Sequence, residues 1–394
     1  MKRFLPLIFI FIFALIYFIP RLLNLSQNIQ FRSDQALHLL EVKQMVDSHQ
    51  LRLIGPAVTS KTLNGRQFFI GSTYYYFLAT LGLIFSWSPL NITFALIVFE
   101  FIFYAIFINY LRQHFGYFSS ILVALVVSFS PYLIFHSFFF WNPHFLIPLS
   151  ILFIIFRKNP YLSAFIWGLA LSFHYSAIFW LIPFIIFRFN NHQFKFKTFL
   201  LSVLLFLCAN LPFIFFELRH QFYNLKTILL ILSHSSSSFE LTPHYFVFSL
   251  LIFLIFFLLY LSQKTHLPFY LLLMIFLFFN DSASTLNYHG LNYPTQLKIT
   301  QSIANNCPIT KYNIASTNQG DTRAYDLRYL LTINHCSPDT VDNYPKDQTI
   351  FLIAPSSRPP LTESVWEISS FKPFKVNKTE KLNNDLFLYR LDKS

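Results

Sequence analysis

A succession of long apolar runs is the feature that most restricts how this chain of 394 residues folds. Hydrophobic residues make up 55% of the chain and charged residues only 12%, about half the charged fraction of a soluble domain. A helix needs about 20 apolar residues to cross a bilayer. We therefore predict a polytopic α-helical membrane protein. The runs that predict crossings or near-crossings are 4–20, 68–86, 91–110, 117–136, 141–156, 160–187, 196–216, 243–261 and 267–280.

The distribution of charge supports this class. The formal net charge is +12, and the basic residues before position 280 lie in short loops between apolar runs. Attraction to anionic lipid head groups explains that pattern better than nucleic-acid binding. The acids of this region are few, and they are Asp34, Glu41, Asp47, Glu100, Glu217 and Glu240.

Basic loops also predict the topology, because cytoplasmic loops are enriched in Lys and Arg. Placing all of them in the cytoplasm requires 160–187 to cross twice and 68–86 to lie along or dip into the outer face. About nine crossings plus one interfacial or re-entrant helix result. The N-terminus, an uncleaved anchor, is then cytoplasmic, and the C-terminal domain lies outside the plasma membrane. The basic loops are Lys2–Arg3, Arg112, Arg157–Lys158, 188–197 and Lys264.

Two domains are predicted, a transmembrane domain over 1–284 and an extracytoplasmic α/β domain over 285–394. Within the first, the long outer loop 21–67 carries a helix over 34–48 that Ser33 can cap, with an apolar face suited to the membrane interface. The tail changes to balanced charge and short apolar runs. Its predicted elements are strands at Tyr312–Ser316, Thr349–Ala354 and Leu386–Leu391 and a helix at Asp321–Ile333.

The cysteines suggest a disulfide rather than a metal site. Cys307 and Cys336 both lie in the tail, where an extracytoplasmic location would let a bridge persist. A bridge that closes the loop between Cys307 and Cys336 would stabilise a small domain by ~3 kcal/mol. Cys208 lies in an apolar run and is a small packing residue. No metal-ligand spacing involves any of the three.

Ionisable residues in or beside a membrane are costly and often functional. In the predicted topology Asp34, Glu217, Arg219, His220 and His174 fall on the outer face. Each has a structural alternative as a helix-start acid, a solvated loop end or a turn histidine. Together they offer a carboxylate base and an Arg fork for phosphate, the set that transfer from a lipid-phosphate-linked sugar requires. Hydrolysis by a carboxylate pair is less favoured, because no second acid is fixed close to Asp34.

Four segments resemble the GT-C superfamily of polytopic glycosyltransferases, especially its protein O-mannosyltransferase and aminoarabinose-transferase branch. Arg32–Ala36 stands where the family has an acidic first-loop motif. Gly71–Tyr76 resembles a Gly-Pro-x-Tyr-Tyr-Tyr segment, and Phe140–Pro143 resembles a segment after a span. Phe216–Phe222 resembles a Phe-Glu-Leu-Arg-His-x-Phe segment. The resemblance extends over most of residues 1–280.

The resemblance implies a polyprenyl-phosphate sugar as donor, transfer at the outer leaflet, and Asp34 as the catalytic base. The acceptor is a protein, a glycolipid or a cell-wall glycan. Gln35 replaces a second acid and Asn142 replaces an Asp of the family pattern, which leaves a divalent metal as an open question. We assign the donor phosphate to Arg219 and His220. The residues expected to line the site are Arg32, Gln35, Asn142, His174 and Glu217.

Two other classes remain open. A transporter or flippase for a lipid-linked molecule would have polar residues on several spans and near-symmetric halves, and neither an internal repeat nor paired interrupted helices is present in the sequence. A non-catalytic membrane scaffold would bind a partner through its tail. In that case Asp34 and Arg219 would be dispensable.

Overall fold

The structure is a computed structural model that describes residues 5–58, 65–189, 196–233, 243–262, 291–318, 320–382 and 385–394. Most elements are helices, and the described residues also form a two-stranded and a four-stranded sheet. The chain divides into two compact units. The first unit comprises Met1–Leu23, Gln44–Phe85 and Ile92–Thr285, and the second comprises Asn24–Lys43, Ser86–Asn91 and Leu286–Ser394.

Proline and asparagine set many helix boundaries in the first unit. Pro160 occupies the first position of its helix, where the missing N–H costs nothing. Asn159 accepts hydrogen bonds from the backbone N–H groups of Tyr161 and Leu162 at 3.0 and 3.1 Å. The elements are α1 (Leu5–Leu22), β1 (Ile54–Ala57), β2 (Phe69–Gly71), α4 (Thr73–Ile84), α5 (Pro89–Phe129), α6 (Pro131–Ser137), α7 (Leu146–Ile155), α8 (Pro160–Phe173), α9 (Leu181–Phe189), α10 (Phe196–Cys208), α11 (Leu211–Arg219), α12 (Tyr223–Ser233) and α13 (Pro243–Ser262), with 3₁₀ turns at Asn142–Phe145 and Tyr175–Trp180.

One helix of the described residues is long and apolar enough to cross a membrane. This is α5, with 41 residues and a break at Gly116, whose φ of 85° lies in the left-handed region. The chain bends by 114° between helix α6 and the segment Asn142–Ile155, and by 76° between α10 and α11. If each bent pair is one span, the number of candidate crossings among these residues rises to three.

The predicted nine crossings are therefore not supported. Hydropathy detects apolar runs but not the points at which Asn, Pro or Gly divide them into short helices. The run 196–216, for example, is divided at Asn210 into α10 and α11. The run 68–86 contains β2 and the 12-residue α4, about 18 Å long and shorter than the ~30 Å hydrocarbon core. The run 267–280 and the residues Lys2, Arg3 and Lys264 lie outside the described residues.

The helix predicted over 34–48 is present as α3, which begins one residue earlier and ends at Asp47. Its cap differs from the prediction, because Ala36 N–H donates to Arg32 O at 2.9 Å and makes Arg32, not Ser33, the N-cap. Gln35 Oε1 accepts from the backbone N–H of Arg32 at 3.1 Å, as in a capping box. The helices that lie wholly or mainly in the second unit are α2 (Leu25–Asn28), α3 (Ser33–Asp47), α14 (Tyr293–Ala304), α15 (Tyr325–Ile333) and α16 (Trp366–Ser369).

The C-terminal part of the second unit contains the predicted small sheet domain, with strand order β3-β4-β6-β5. Strands β3 (Tyr312–Ser316) and β4 (Thr349–Pro355) are parallel, and α15 provides the crossover that a parallel pair requires. Strand β6 (Leu386–Lys393) is antiparallel to β4 and to β5 (Phe374–Lys381). The sequence did not predict β5, because its Lys-rich residues are those of an exposed edge strand.

The predicted disulfide is confirmed. Cys307 and Cys336 are bonded, with their Cα atoms 5.8 Å apart. The bridge joins the chain just after α14 to the chain just after α15. Both helices pack on one face of the four-stranded sheet, where Ile303 and Leu327 belong to one core cluster with Leu388. The disulfide therefore fixes the ends of two helices that share a core.

Candidate functional site

The segment Phe216–Phe222 contains the end of α11 and the turn that leads into α12. Glu217 is only 8% exposed. Its carboxylate accepts from the backbone N–H groups of Asn224 and Leu225, each at 3.0 Å, and from Asn224 Nδ2 at 2.9 Å. The first N–H groups of a helix have no partner within it and favour an anion. Glu217 is thus a fixed anion that caps α12, not an ion-pair partner of Arg219.

Asn224 extends this capping contact to the two-stranded sheet. Its Oδ1 accepts from the backbone N–H of Phe69 at 2.9 Å. The Tyr223 hydroxyl accepts from Gln67 N–H at 3.3 Å, and the guanidinium of Arg66 lies 5.4 Å from the Tyr223 ring centre. These contacts hold β2 against the start of α12. Sequence reasoning did not select Arg66 or Asn224, since only the fold brings Arg66 beside Tyr223 and Asn224 beside Glu217.

Gly71, the first residue of the Gly71–Tyr76 segment, allows β2 to approach α8 closely. A Cβ at this position would overlap Ser172 Oγ. The neighbouring Thr73 Oγ1 lies 2.6 Å from the same oxygen. Helix α8 is also fixed by Asn210, whose Nδ2 donates to Gly168 O at 2.9 Å, one helical turn before Ser172. Small residues and amides therefore position β2, α8 and α10 at contact distance.

Residues of β2, α8, α10, α11 and α12 line a cavity of ≈ 770 Å³, which we call the donor cavity after the role that we propose for it below. Its volume lies within the range of about 300–1,000 Å³ found for ligand pockets. The walls are mainly apolar, and the polar groups at them include Tyr175, Asn210, Glu217 and Asn224. Such a cavity suits a long apolar chain. Its apolar residues include Phe69, Leu171, Ile178, Phe206, Phe213 and Ile228.

Arg219 and His220 follow Leu218, which lines the donor cavity. Both are exposed. His220 stacks on Phe216 with ring centres 4.2 Å apart, and its Nδ1 lies 2.9 Å from Phe216 O. A carbonyl oxygen only accepts, so Nδ1 carries the proton and Nε2 is an acceptor when the ring is neutral. Arg219 has five N–H donors in a fork that matches phosphate oxygens.

Asn142 and His174 are brought together at the end of α8. Asn142 Nδ2 donates to Phe173 O at 3.0 Å. His174 Nδ1 accepts from the backbone N–H of Ser176 at 3.2 Å and caps the following 3₁₀ turn. Both residues are buried, and neither is among the described residues that line the donor cavity. For His174 these contacts are those of the structural alternative, a satisfied turn histidine, and Asn142 begins the 3₁₀ turn Asn142–Phe145.

Asp34 belongs to the second unit and is exposed in the first turn of α3. The pKa of its carboxyl is raised by partial desolvation and, second, by the negative charge of Asp321. The neighbouring Arg32 and the helix dipole would by themselves favour the ionised carboxylate, but the net shift of this pKa is upward. The Arg32 guanidinium instead donates to Gln30 Oε1 at 2.8 Å. Asp321 is thus the second acid near Asp34, which sequence reasoning did not find.

Asp321 lies in the loop after β3, at the carboxyl end of a parallel strand, where ligands bind in open α/β sheets. Its two carboxylate oxygens accept from the backbone N–H groups of Arg323 at 3.1 Å and Tyr325 at 2.8 Å. Desolvation raises the pKa of Asp321, while these bonds and the charges of Arg328 and Arg323 act in the opposite direction. Asp321 is therefore a fixed charge within electrostatic range of Asp34.

His38 is a second group on α3 that the sequence reading missed. It lies four residues after Asp34, and residues with this spacing share one face of a helix. Burial lowers the pKa of His38 to about 4, so the ring is neutral at pH 7. The i, i+4 spacing was visible in the sequence, whereas the burial was not.

No protein-family model, curated protein or solved structure matches this chain. Within the part of the chain that the structure describes, no three His, Cys, Asp or Glu residues lie close enough together to hold a metal ion. The assignment of a function therefore depends on the geometry of the two units and on the sequence resemblance.

Proposed function

We propose that this protein is a glycosyltransferase that moves a sugar from a polyprenyl-phosphate carrier to an acceptor at the outer face of the membrane, as in the GT-C enzymes that it resembles. The observation that carries the proposal is the donor cavity. Two segments of the resemblance, Gly71–Tyr76 and Phe216–Phe222, lie far apart in the chain and yet contribute to its wall. An apolar cavity beside exposed Arg219 suits a lipid with a phosphate head group.

We assign a separate role in the reaction to each of these residues. Arg219 and His220 bind the donor phosphate, which is already a good leaving group and requires a cation more than an acid. Glu217 occupies the first N–H groups of α12, so this helix end is not the phosphate site, and Glu217 instead orients the segment that carries Arg219. Asp34 accepts the proton of the acceptor hydroxyl as its oxygen bonds to the anomeric carbon of the sugar. The bond from that carbon to the phosphate oxygen breaks, and polyprenyl phosphate leaves.

The proposal includes a multi-pass topology in the plasma membrane, with a cytoplasmic N-terminus and an extracytoplasmic C-terminal domain. The acceptor is a protein hydroxyl, a glycolipid or a cell-wall glycan. Asp34 and Asp321 are the carboxylates that a divalent metal would meet in the second unit. Our mechanism assigns no step to such a metal.

A tryptophan in the donor cavity tests the proposal directly. Ile228→Trp adds bulk to the α12 wall, and we expect it to weaken binding of polyprenyl-phosphate mannose by about 10–100-fold, because overpacking a fitted apolar site costs about 1–3 kcal/mol. Leu229→Trp is the matched control, since Leu229 lies on the same helix, is 57% exposed and does not line the cavity. Binding is measured with purified protein in nanodiscs.

Equal donor binding by Ile228→Trp and Leu229→Trp would show that the donor does not bind in this cavity. The transporter alternative is tested in proteoliposomes that contain the same donor. Movement of the lipid-linked sugar between leaflets, with no sugar transferred to hydroxyl acceptors, would contradict the transferase and favour a flippase.

The pH profile of sugar transfer tests the pairing of Asp34 with Asp321. A base must be ionised, so the rate rises with pH as Asp34 loses its proton. The charge of Asp321 raises the pKa of Asp34, and Asp321→Asn removes that charge while retaining one acceptor oxygen for the loop. We therefore expect the acid limb of kcat/KM to move to lower pH. Asp342→Asn, an exposed acid of the same unit, should leave the limb in place, and an unmoved limb in Asp321→Asn would contradict the coupling.

A further inference from the structure

We propose that the C-terminal domain has a carbohydrate-binding pocket of its own, in addition to the donor cavity of the first unit and independent of the proposed transferase activity. The pocket has a volume of ≈ 260 Å³ and lies between the end of α14 and the strands β4, β6 and β5. Pockets for drug-sized ligands hold about 300–1,000 Å³. This pocket therefore suits one small molecule, such as a single sugar ring.

A β-bulge in β5 determines which side chains reach the pocket. Val376 pairs with Leu391 and Lys378 pairs with Arg390, so two steps along β5 match one step along β6. Side chains alternate between the faces of a strand. The extra residue therefore places Lys378 and Glu380 on the face opposite Val376, and both line the pocket. Bulges commonly redirect side chains beside binding sites.

The charges at the pocket are balanced. Glu380 Oε2 accepts from Ser302 Oγ at 3.0 Å and lies 3.9 Å from Lys378 Nζ. Arg390 Nε lies 3.1 Å from Asp392 Oδ1. Each cation thus has a carboxylate partner, so the site lacks the excess positive charge that phosphate or sulfate requires. A neutral ligand that both donates and accepts hydrogen bonds fits these groups better.

The remaining wall is apolar. Ile303, Phe351 and Leu388 line the pocket and belong to the core that α14 and the sheet share. Asn306 adds an amide, which both donates and accepts, and it directly precedes the disulfide-bonded Cys307. A pyranose ring presents hydroxyl groups at its edge and C–H groups on its faces. That combination matches polar groups around an apolar surface.

Binding of simple glycosides tests the pocket without any donor. The full chain is placed in phosphatidylcholine nanodiscs, so that no sugar-based detergent competes, and titrated with methyl glycosides of mannose, galactose and N-acetylglucosamine. We expect saturable binding of at least one glycoside. Lys378→Met and Glu380→Gln should each weaken it by about tenfold, the usual loss of a hydrogen bond to a charged group.

Lys381→Met is the matched control, because Lys381 lies on the same strand, is exposed and does not line the pocket. It should bind the glycoside as the wild type does, and unchanged thermal unfolding of Glu380→Gln would confirm that its fold is intact. Absence of binding by all three glycosides would overturn the proposal. So would binding of inorganic phosphate alone, or an equal loss in Lys378→Met and Lys381→Met.

Discussion

Asp34→Asn is expected to slow sugar transfer by at least ~100-fold while the protein inserts and folds as before, because a positioned general base contributes ~10²–10⁴-fold in rate. Asparagine has nearly the same shape, and Asp34 is exposed in the first turn of α3, so the structural cost is small. The measurement is single-turnover transfer by purified protein in nanodiscs, with donor binding followed in parallel. Donor binding should not change.

Asp47→Asn provides the matched control, since Asp47 is an exposed acid at the other end of α3 and undergoes the same substitution. If Asp34→Asn transfers sugar at the rate of Asp47→Asn, Asp34 takes no part in proton transfer. Its position in the first turn would then reflect only the preference of helix starts for negative charge.

Local patterns predicted local structure well. The helix α3 and the strands β3, β4 and β6 follow from residue periodicity, as does α15, although α15 begins at Tyr325 and not at Asp321. The Cys307–Cys336 bridge follows from the presence of both cysteines in one predicted extracytoplasmic tail. The number of crossings did not follow from such patterns, because mean hydropathy is insensitive to single residues. Asn210 divides the run 196–216 into two short helices. The runs 91–110 and 117–136, which were predicted as separate crossings, instead form the single element α5 with a break at Gly116.

The sequence could not predict which residues distant along the chain lie close together in the fold. Asp321 affects Asp34 only because the loop after β3 and the start of α3 lie within one compact unit. Similarly, no local signal connects Asn224 with Phe69. Position along the chain did suggest Glu217, but as a member of an ionic cluster. Its role as the cap of α12 depends on the turn after α11. A substitution of Glu217 can distinguish this capping role from a role in an ionic cluster.

Glu217→Ala is expected to lower the free energy of unfolding by about 2–4 kcal/mol, because two backbone N–H groups lose a charged acceptor in a buried position. The thermal unfolding midpoint, measured in nanodiscs, should fall accordingly. Glu217→Gln keeps one acceptor oxygen and should lose less. Donor binding should weaken in Glu217→Ala as well, since the residue lines the donor cavity and positions the turn that follows Arg219.

Arg219→Ala, at the exposed end of α11, should leave the stability unchanged and weaken donor binding. Exposed substitutions change stability by only about 0.5 kcal/mol, so its unfolding midpoint should match that of the wild type. Its affinity for polyprenyl-phosphate mannose should nevertheless fall by about tenfold or more, because a charge-assisted fork to phosphate is lost. A stable Glu217→Ala protein would remove the capping role. Unchanged donor affinity in Arg219→Ala would leave Arg219 a residue of the helix end and not of the donor site.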